Sequence, residues 1–274
     1  MTILKYIVAG VIIERSFILL IDSHAHLELG EFDSDREDVI KRAGDSGVGY
    51  IVTVGIDLED SKKAVAIAER YDTVYAAVGV HPHDADSIDN TTYDSLRKLS
   101  DSDKVVAYGE IGLDFFRNLS PEDLQIQRFG EQLDLAEDLG LPIIIHDRDA
   151  HRETLEILKG RKNLSGGVIH CFSGDYDMAV QCIDMGFYIS VPGTITYKKA
   201  ETLRDIVRKI PIDKLLVETD CPFLSPEPKR GKRNEPAYVV YTARRIAQIK
   251  GLSFENVAMV TSENSRRLFG LPAV

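Results

Sequence analysis

Short apolar runs recur along the chain, and the spacing between them leaves room for a helix each time. Eight runs rich in Ile, Val and Leu have the length of buried strands, at residues 17–21, 50–54, 74–78, 105–108, 143–145, 168–170, 187–191 and 215–217. Polar stretches between them carry apolar residues at helical spacing, such as Ile126, Phe129 and Leu133, and these predict amphipathic helices. Two closing helices are expected at 238–249 and 254–269. The pattern therefore predicts an α/β protein in which strands and helices alternate.

Eight strands that alternate with helices match the element count of a (β/α)8 TIM barrel. No G-x-G-x-x-G sequence follows the first apolar run, which disfavours a doubly wound dinucleotide-binding sheet. A length of 274 residues suits one barrel, and no low-complexity linker divides the chain. We expect residues 17–274 to form a single barrel domain. Residues 1–16 are expected to be an N-terminal extension, either an extra strand or frayed.

The apolar stretch near the N-terminus, at residues 3–13, faintly resembles a signal peptide. Glu14 and Arg15 interrupt it early, however, and no A-x-A cleavage site follows. It is also too short to span a bilayer. We therefore expect a cytoplasmic protein that does not enter the membrane.

Composition limits the kinds of partner that the chain can bind. Its net charge of −11 argues against broad, nonspecific coating of nucleic acid or of anionic membranes. A small cationic or metal-lined site that holds a few phosphates stays compatible with it. The three cysteines are odd in number and not in paired spacing, which predicts buried thiols in a reducing compartment, with thiolate ligation of a metal as the lesser alternative: Cys171, Cys182 and Cys221.

Histidines and carboxylates follow five of the predicted strands. The clearest case is Asp22-Ser23-His24-Ala25-His26, where residues two apart share one face of a strand. A pair of surface histidines would be the ordinary reading of that segment alone, but the same setting recurs at four more strand ends. Because the carboxyl ends of barrel strands meet at one mouth, we expect six candidate metal ligands to converge there: His24, His26, Glu110, His146, His170 and Asp220.

Six protein ligands exceed the need of one tetrahedral ion. Two of them are carboxylates that could bridge, so we predict two divalent ions. The expected division is His24, His26 and Asp220 on one ion, His146 and His170 on the other, and Glu110 between them. The mixed ligand set is compatible with Mg, Mn or Zn.

Two bound ions would lower the pKa of water and neutralise charge on a phosphoryl or carbonyl oxygen. Asp220 or Glu110 would then take the proton of that water as general base. Asp22 and Glu218 share strand faces with the ligands and are predicted partners of imidazole N–H groups. An ordinary strand-end salt bridge is an equally open interpretation for both.

A series of motifs spreads over almost the whole chain. In order, they are D-S-H-A-H (22–26), G-V-H-P-H (79–83), G-E-I-G-L-D (109–114), H-D-R (146–148), H-C-F-S-G (170–174), E-T-D-C-P (218–222) and R-G-K-R-N-E-P (230–236). Together they resemble the TatD family of metal-dependent deoxyribonucleases from residue 21 to residue 270. The first twenty residues lack a counterpart. The resemblance implies a barrel of the amidohydrolase type, a centre of one or two metal ions, and hydrolysis of phosphodiester bonds in DNA, at ends or in single strands. No obligate protein partner is evident.

Several residues near the predicted mouth could hold substrate. His81 and His83 flank a proline after the third strand, and they could contact phosphate or simply pack in a loop. Arg117 and Arg148 follow the segments of two proposed ligands, and a guanidinium group suits phosphate. In the loop at 221–236, charges that could form a solvated face are predicted to contact substrate instead, in particular those of Arg230 and Lys232.

Other activities are compatible with the same pattern, because a barrel and a metal pair do not determine the substrate. A hydrolase of esters, lactones or amides is the main alternative, and it includes removal of D-amino acids from tRNA. Many amidohydrolases would have a carbamylated lysine on the fourth strand, where this chain has Glu110. A noncatalytic metal-binding scaffold is a third possibility, which the complete set of ligands disfavours.

Overall fold

The computed structural model describes residues 3–8, 11–16 and 19–273. Near the N-terminus, β1 (Ile3–Val8) and β2 (Val11–Ser16) pair as an antiparallel hairpin, with Ile3 opposite Ser16. Four residues of the predicted extension, 1, 2, 9 and 10, lie outside the described residues, as do residues 17 and 18 of the first predicted strand. The division of the chain at residue 16 stays a prediction.

Eight parallel strands form the centre of the molecule, and each pairs with the next in chain order. They are β3 (Leu20–Ala25), β4 (Val48–Val54), β5 (Val74–Val78), β6 (Val105–Asp114), β7 (Ile143–Arg148), β8 (Gly167–Ile169), β9 (Phe187–Val191) and β10 (Leu215–Val217). This order, in which no strand is skipped, is that of a TIM barrel. The predicted (β/α)8 barrel is confirmed.

Helices cover the outside of the strands. They are α1 (Arg36–Asp45), α2 (Leu58–Arg70), α3 (Asn90–Leu99), α4 (Glu122–Leu139), α5 (His151–Lys159), α6 (Tyr176–Asp184), α7 (Glu201–Lys209), α8 (Val239–Lys250) and α9 (Phe254–Phe269). The last two agree closely with the predicted closing helices. Within the described ranges, no helix is both long and apolar enough to cross a membrane.

Two apolar clusters fill the fold. The larger lies between strands and helices and includes Phe32, Phe129 and Leu133. The smaller takes a residue from most barrel strands, for example Ile21, Val52 and Ile144, as the filled interior of a barrel requires. Phe269 and Leu271, at and beyond the end of α9, belong to this smaller cluster, so the C-terminal segment packs against the barrel interior.

The barrel closes between its first and last strands, β3 and β10, through few backbone bonds. The Asp220 N–H donates to the His24 carbonyl at 2.9 Å, and the His26 N–H donates to the Cys221 carbonyl at 2.8 Å. Ser23 adds a side-chain bond from its hydroxyl to the Val217 carbonyl at 3.0 Å. We call this contact between the two strands the seam.

Three strands, β3, β6 and β7, extend beyond the carboxyl ends of the predicted apolar runs, and β7 continues past His146 to Arg148. The first continues through Asp22 and His24 to Ala25, because Asp22 and Ala25 still pair with β4. The fourth, β6, continues past Glu110 to Asp114 and pairs with β7 as far as Arg148. Glu110 therefore lies within a strand rather than after it.

Candidate metal centre

One end of the barrel opens into a cavity of about 850 Å³, which is lined by all of the predicted ligands except His24. Each ligand comes from a different element: His24 from β3, Glu110 from β6, His146 from β7, His170 from the residue after β8, and Asp220 from the segment after β10. His26 follows β3 directly. All are buried except His146, which is partly exposed. The structure thus brings the six predicted residues together.

Glu110 lies at the centre of this group, with its two carboxylate oxygens directed to different histidines. Oε2 is 3.4 Å from Nε2 of His24 and 3.9 Å from Nε2 of His26. Oε1 is 2.7 Å from Nδ1 of His146 and 2.9 Å from Nε2 of His170. A carboxylate between two pairs of imidazoles has the arrangement expected of a bridging ligand.

The first pair of imidazoles also has its own carboxylate. His24 and His26 face each other, with 3.1 Å between their Nε2 atoms. Oδ1 of Asp220 is 3.3 Å from His26 Nε2 and 3.9 Å from His24 Nε2. Asp220 has a positive φ of 56°, a conformation that is unfavourable for most side chains. The seam bond from its N–H to His24 helps to hold it there.

The orientation of His26 depends on a residue that the sequence did not single out. Its Nδ1 donates to the Val54 carbonyl at 2.8 Å and lies 3.1 Å from Oε1 of Glu28. In the neutral imidazole, this proton on Nδ1 leaves the Nε2 lone pair directed at Asp220 and His24. Glu28 is itself held by the Thr53 hydroxyl, which donates to Oε2 at 2.6 Å. In the sequence, the one sign of this role was the position of Glu28 two residues after His26.

Asp114 is a second residue that the sequence analysis missed. Its Oδ2 is 3.0 Å from Nε2 of His83 and 3.1 Å from Nε2 of His146. Its Oδ1 accepts the Arg117 N–H at 2.7 Å. His146 is therefore held between two carboxylates, Glu110 at one ring nitrogen and Asp114 at the other. The available signal was the last position of the G-E-I-G-L-D motif.

Asp22 and Glu218 have different roles in the structure. Glu218 Oε1 is 3.3 Å from Nδ1 of His170 and accepts the Cys171 N–H at 2.6 Å. Asp22 instead accepts the N–H of Thr219 at 2.8 Å and the Thr219 hydroxyl at 2.6 Å. In the structure, Asp22 thus bonds across the seam to Thr219 rather than to an imidazole, and its role as partner of an imidazole stays a prediction.

The predicted substrate-binding residues lie in three places. His81 is buried within the centre, with Nε2 3.6 Å from Glu110 Oε1, while His83 is partly exposed. Arg117 and Arg148 line the cavity, and the Arg148 guanidinium lies 3.9 Å above the Phe116 ring.

The two predicted cations of the 221–236 loop lie outside this cavity. The Arg230 guanidinium is 4.2 Å from the centre of the Tyr197 ring. Lys232 is exposed on the same loop. The structure does not bring either residue to the centre.

One aromatic side chain at the mouth was also missed. Phe223 lines the cavity, is 50% exposed, and has its ring 6.1 Å from that of His26. The amide of Asn234 donates to its carbonyl at 2.6 Å and to that of Thr219 at 2.8 Å. The loop is thus tied down while the ring stays exposed.

The charges of the centre are strongly coupled. Burial would raise the pKa of Glu110, but the neighbouring charges of His170 and His81 hold it well below its usual range. Burial would lower the pKa of His170, yet Glu110 and Glu218 raise it well above normal. Burial and the charge of His170 lower the pKa of His24. Glu110 is thus ionised, and the imidazoles around it differ in how readily they take up a proton.

This donor set fits divalent cations. Burying a carboxylate is unfavourable unless cations surround it, and His24 Nδ1 is buried without a hydrogen bond to any described residue. Three triads of described residues have ligand atoms within 4.8 Å of one another: His24, His26 and Asp220; His81, Glu110 and His146; and His24, His170 and Glu218. Metal binding replaces protons at such sites.

The cysteines do not have the properties of thiolate ligands. Burial raises the pKa values of Cys171 and Cys221 well above normal, and that of Cys182 to about 12. All three are free cysteines in the structure. Neutral thiols bind metals poorly.

Known proteins share this fold and sequence pattern. Residues 21–270 match the family described as TatD related DNase. The chain is 47% identical to the uncharacterized metal-dependent hydrolase YabD of Bacillus subtilis over 92% of this chain and 99% of that protein. It is 37% identical to the 3'-5' ssDNA/RNA exonuclease TatD of Citrobacter koseri, over 92% and 99% of the two chains. The crystal structure of YJJV, a TatD homolog from Escherichia coli, superimposes with a TM-score of 0.88 at 32% identity and covers 94% of this chain and 100% of its own. With a barrel that closes around histidines and carboxylates and a match across 21–270, the chain belongs to the TatD family of metal-dependent hydrolases.

Proposed function

We propose that the protein hydrolyses phosphodiester bonds in DNA, acting on single strands or ends, with two divalent metal ions. The observation that carries the proposal is the position of Glu110, whose two oxygens face different pairs of imidazoles. His24, His26 and Asp220 would hold one ion. His146 and His170 would hold the other, and Glu110 would contact both. Mg, Mn and Zn each suit this set.

When bound, such ions lower the pKa of water and neutralise charge on a phosphoryl oxygen. The residues of the chain supply the remaining functions. Asp220 has the more exposed side chain of the two candidate bases, 13% against 3% for Glu110, and it lines the cavity. Its pKa is lowered because hydrogen bonding to His26 and the charges of nearby histidines outweigh burial. Asp220 is thus ionised and placed to accept a proton.

Arg117 and Arg148 would hold the phosphate of the substrate. Both line the cavity, and a guanidinium group can bind two phosphate oxygens at once. The exposed ring of Phe223 provides a surface on which an unpaired base can stack. Stacking of this kind requires a base outside a duplex, which supports single strands or frayed ends as the substrate. The Citrobacter relative, which is named as an exonuclease of single-stranded DNA and RNA, agrees with this substrate.

No residue of the described cavity lining specifically favours the alternative activity on esters, lactones or amides. Among the residues that the structure describes, none of those lining the cavity is a lysine. Glu110 occupies the position where a carbamylated lysine would bridge the ions. The same assay can include an aminoacyl-tRNA as a second substrate.

The experiment is cleavage of an end-labelled single-stranded DNA by protein stripped with a chelator and reloaded with Mg, Mn or Zn. We expect shortening of the strand only with metal, and slower shortening of a blunt duplex. Asp220→Asn is the control for contaminating nucleases. A wild-type protein that holds stoichiometric metal but cleaves no faster than this variant would contradict the proposal, and release of the amino acid from the tRNA would support the alternative.

A further inference from the structure

A second cavity, of about 520 Å³, lies beside the metal centre and has a different lining. Its charged side chains are those of Lys198, Arg204, Arg244, Arg245 and Glu227. Four cations against one carboxylate are unusual in a chain of net charge −11. We refer to this space as the cationic cavity.

The cations of this cavity are not neutralised locally. Among the described residues, none of Lys198, Arg204, Arg244 and Arg245 has a carboxylate oxygen within 4.0 Å, although many other arginines of the chain are paired. Burial leaves Nε of Arg245 without a hydrogen-bond partner among those same residues. Unpaired cations that line one concave space favour an anionic ligand.

Arg204 builds one wall of the cavity. Its guanidinium donates to the Tyr197 carbonyl at 2.6 Å and to the Lys198 carbonyl at 3.0 Å. The opposite loop is tied to this wall, because the Tyr197 hydroxyl donates to the Ser225 carbonyl at 2.9 Å. The Glu227 N–H donates to the Thr196 hydroxyl, also at 2.9 Å. These bonds join the two loops on one side of the cavity, and α8 supplies Tyr241, Arg244 and Arg245 to the rest of its lining.

The same two loops line the metal cavity. Thr194 and Leu224 line the metal cavity, while Thr196 and Glu227 line the cationic one. Thr194 and Thr196 are two residues apart, so their Cα atoms are separated by at most about 7 Å. A flexible polyanion could enter both cavities at once.

Aromatic rings accompany the cations. Tyr197 and Tyr241 line the cavity, and the Arg230 guanidinium lies over the Tyr197 ring. Cationic grooves interleaved with aromatic rings are typical of proteins that bind single-stranded nucleic acid without reading its sequence. A small inorganic anion would not need these rings.

We propose that the cationic cavity binds phosphates of the same single strand whose end lies in the metal centre, a few nucleotides from the bond that is cleaved. This inference rests on the proposed function, because it takes the ligand to be the substrate. It assigns Lys198 and Arg244 to substrate binding, and it explains how an acidic protein can hold a polyanion beyond the metal centre.

The test compares two charge-matched double variants. Lys198→Gln with Arg244→Gln removes two charges from the cavity. Lys41→Gln with Lys98→Gln removes two exposed charges from the helices α1 and α3. Binding to a labelled strand of about 12 nucleotides with phosphorothioate linkages, which resist hydrolysis, is measured on the metal-loaded protein against salt concentration.

The cavity variant should bind the strand about tenfold more weakly at roughly 0.15 M salt, and its slope of log affinity against log salt should fall by about 1.4 for two lost phosphate contacts. The control variant should remain within about twofold of wild type in binding, and its cleavage of a dinucleotide should be unchanged. Equal loss in the two variants, or a wild-type protein that binds the long strand no better than a dinucleotide, would overturn the inference. Binding of tripolyphosphate is measured on the same proteins. If the cavity variant loses binding of tripolyphosphate but binds the strand as wild type does, the cavity is a site for small anions and the inference is overturned. If the wild-type protein cleaves neither unmodified single-stranded DNA nor the dinucleotide, the proposed function is refuted. That result does not depend on the binding measurement.

Discussion

Replacing Asp22 should destabilise the barrel at its seam. Asp22 is fully buried, and its two oxygens accept both the N–H and the hydroxyl of Thr219. Asp22→Ala leaves these two donors buried without an acceptor, and each such group costs about 1–3 kcal/mol. Burial raises the pKa of Asp22 well above its usual range, so the variant regains part of the free energy spent on desolvating the carboxylate. The expected loss is about 2–4 kcal/mol in the free energy of unfolding.

An amide at the same position should behave very differently. In Asp22→Asn the carbonyl oxygen can still accept the Thr219 N–H, and the Thr219 hydroxyl can turn to accept from the new NH₂ group. We expect this variant to remain within about 1 kcal/mol of wild type. Thr219→Val removes only the hydroxyl bond. Combined with Asp22→Ala, it should lower stability by less than the sum of the two single changes, because both remove the same bond.

Urea unfolding of the four variants and wild type, in chelator and in metal, measures these differences. In thermal scans, about 2–4 °C per kcal/mol corresponds to a fall in Tm of about 4–16 °C for Asp22→Ala. A loss below about 0.5 kcal/mol for Asp22→Ala, or additive effects in the double variant, would refute the seam argument. Weaker metal binding with unchanged Tm would favour the role that the sequence predicted, support of an imidazole.

Three further changes test the centre directly. Glu110→Gln keeps the size of the side chain but removes the charge shared by two pairs of imidazoles. It should abolish turnover and lower the metal content, while the circular dichroism spectrum stays unchanged. A variant with a full metal complement and a near-normal rate would contradict this prediction. Asp114→Asn should lower the rate about 10–100-fold through the position of His146, with Tm as the check that the fold is intact. Phe223→Ala should raise KM for a single-stranded oligonucleotide by about tenfold, since a stacked base contributes about 1–3 kcal/mol; an unchanged KM would show that no base stacks there.

The alternation of strands and helices could be predicted because barrel strands are buried on both faces and appear as apolar runs. The run at 105–108 could not show that β6 continues to Asp114. That extension depends on glycine: Gly112 has φ of 142°, and a Cβ there would lie 2.0 Å from the His146 carbonyl oxygen. Such a close approach of two strands becomes visible only when both are in place.

The candidate ligands could be predicted because each follows an apolar run that forms a barrel strand, and barrel geometry brings the carboxyl halves of the strands together. Their supporting residues depend on tertiary contacts instead. Glu28 contacts His26 because a turn follows β3, and Asp114, at the end of β6, contacts His83, which follows the neighbouring strand β5. Asp22 shares a strand with His24, but its partner, Thr219, is 197 residues away. Local spacing carries no information about that partner.

The seam has a consequence for the order in which the molecule can be made. His24 and His26 lie on the first barrel strand, whereas Asp220 follows the last one. During synthesis, a chain that has not yet reached residue 220 contains both histidines but lacks the carboxylate opposite them. The bonds that close the barrel, from Asp220 to His24 and from His26 to Cys221, form between the same segments that carry these side chains. A chain that ends before residue 220 therefore lacks both a carboxylate of the centre and the bonds that close the barrel, so the last part of the centre and the closure of the fold depend on the same segment.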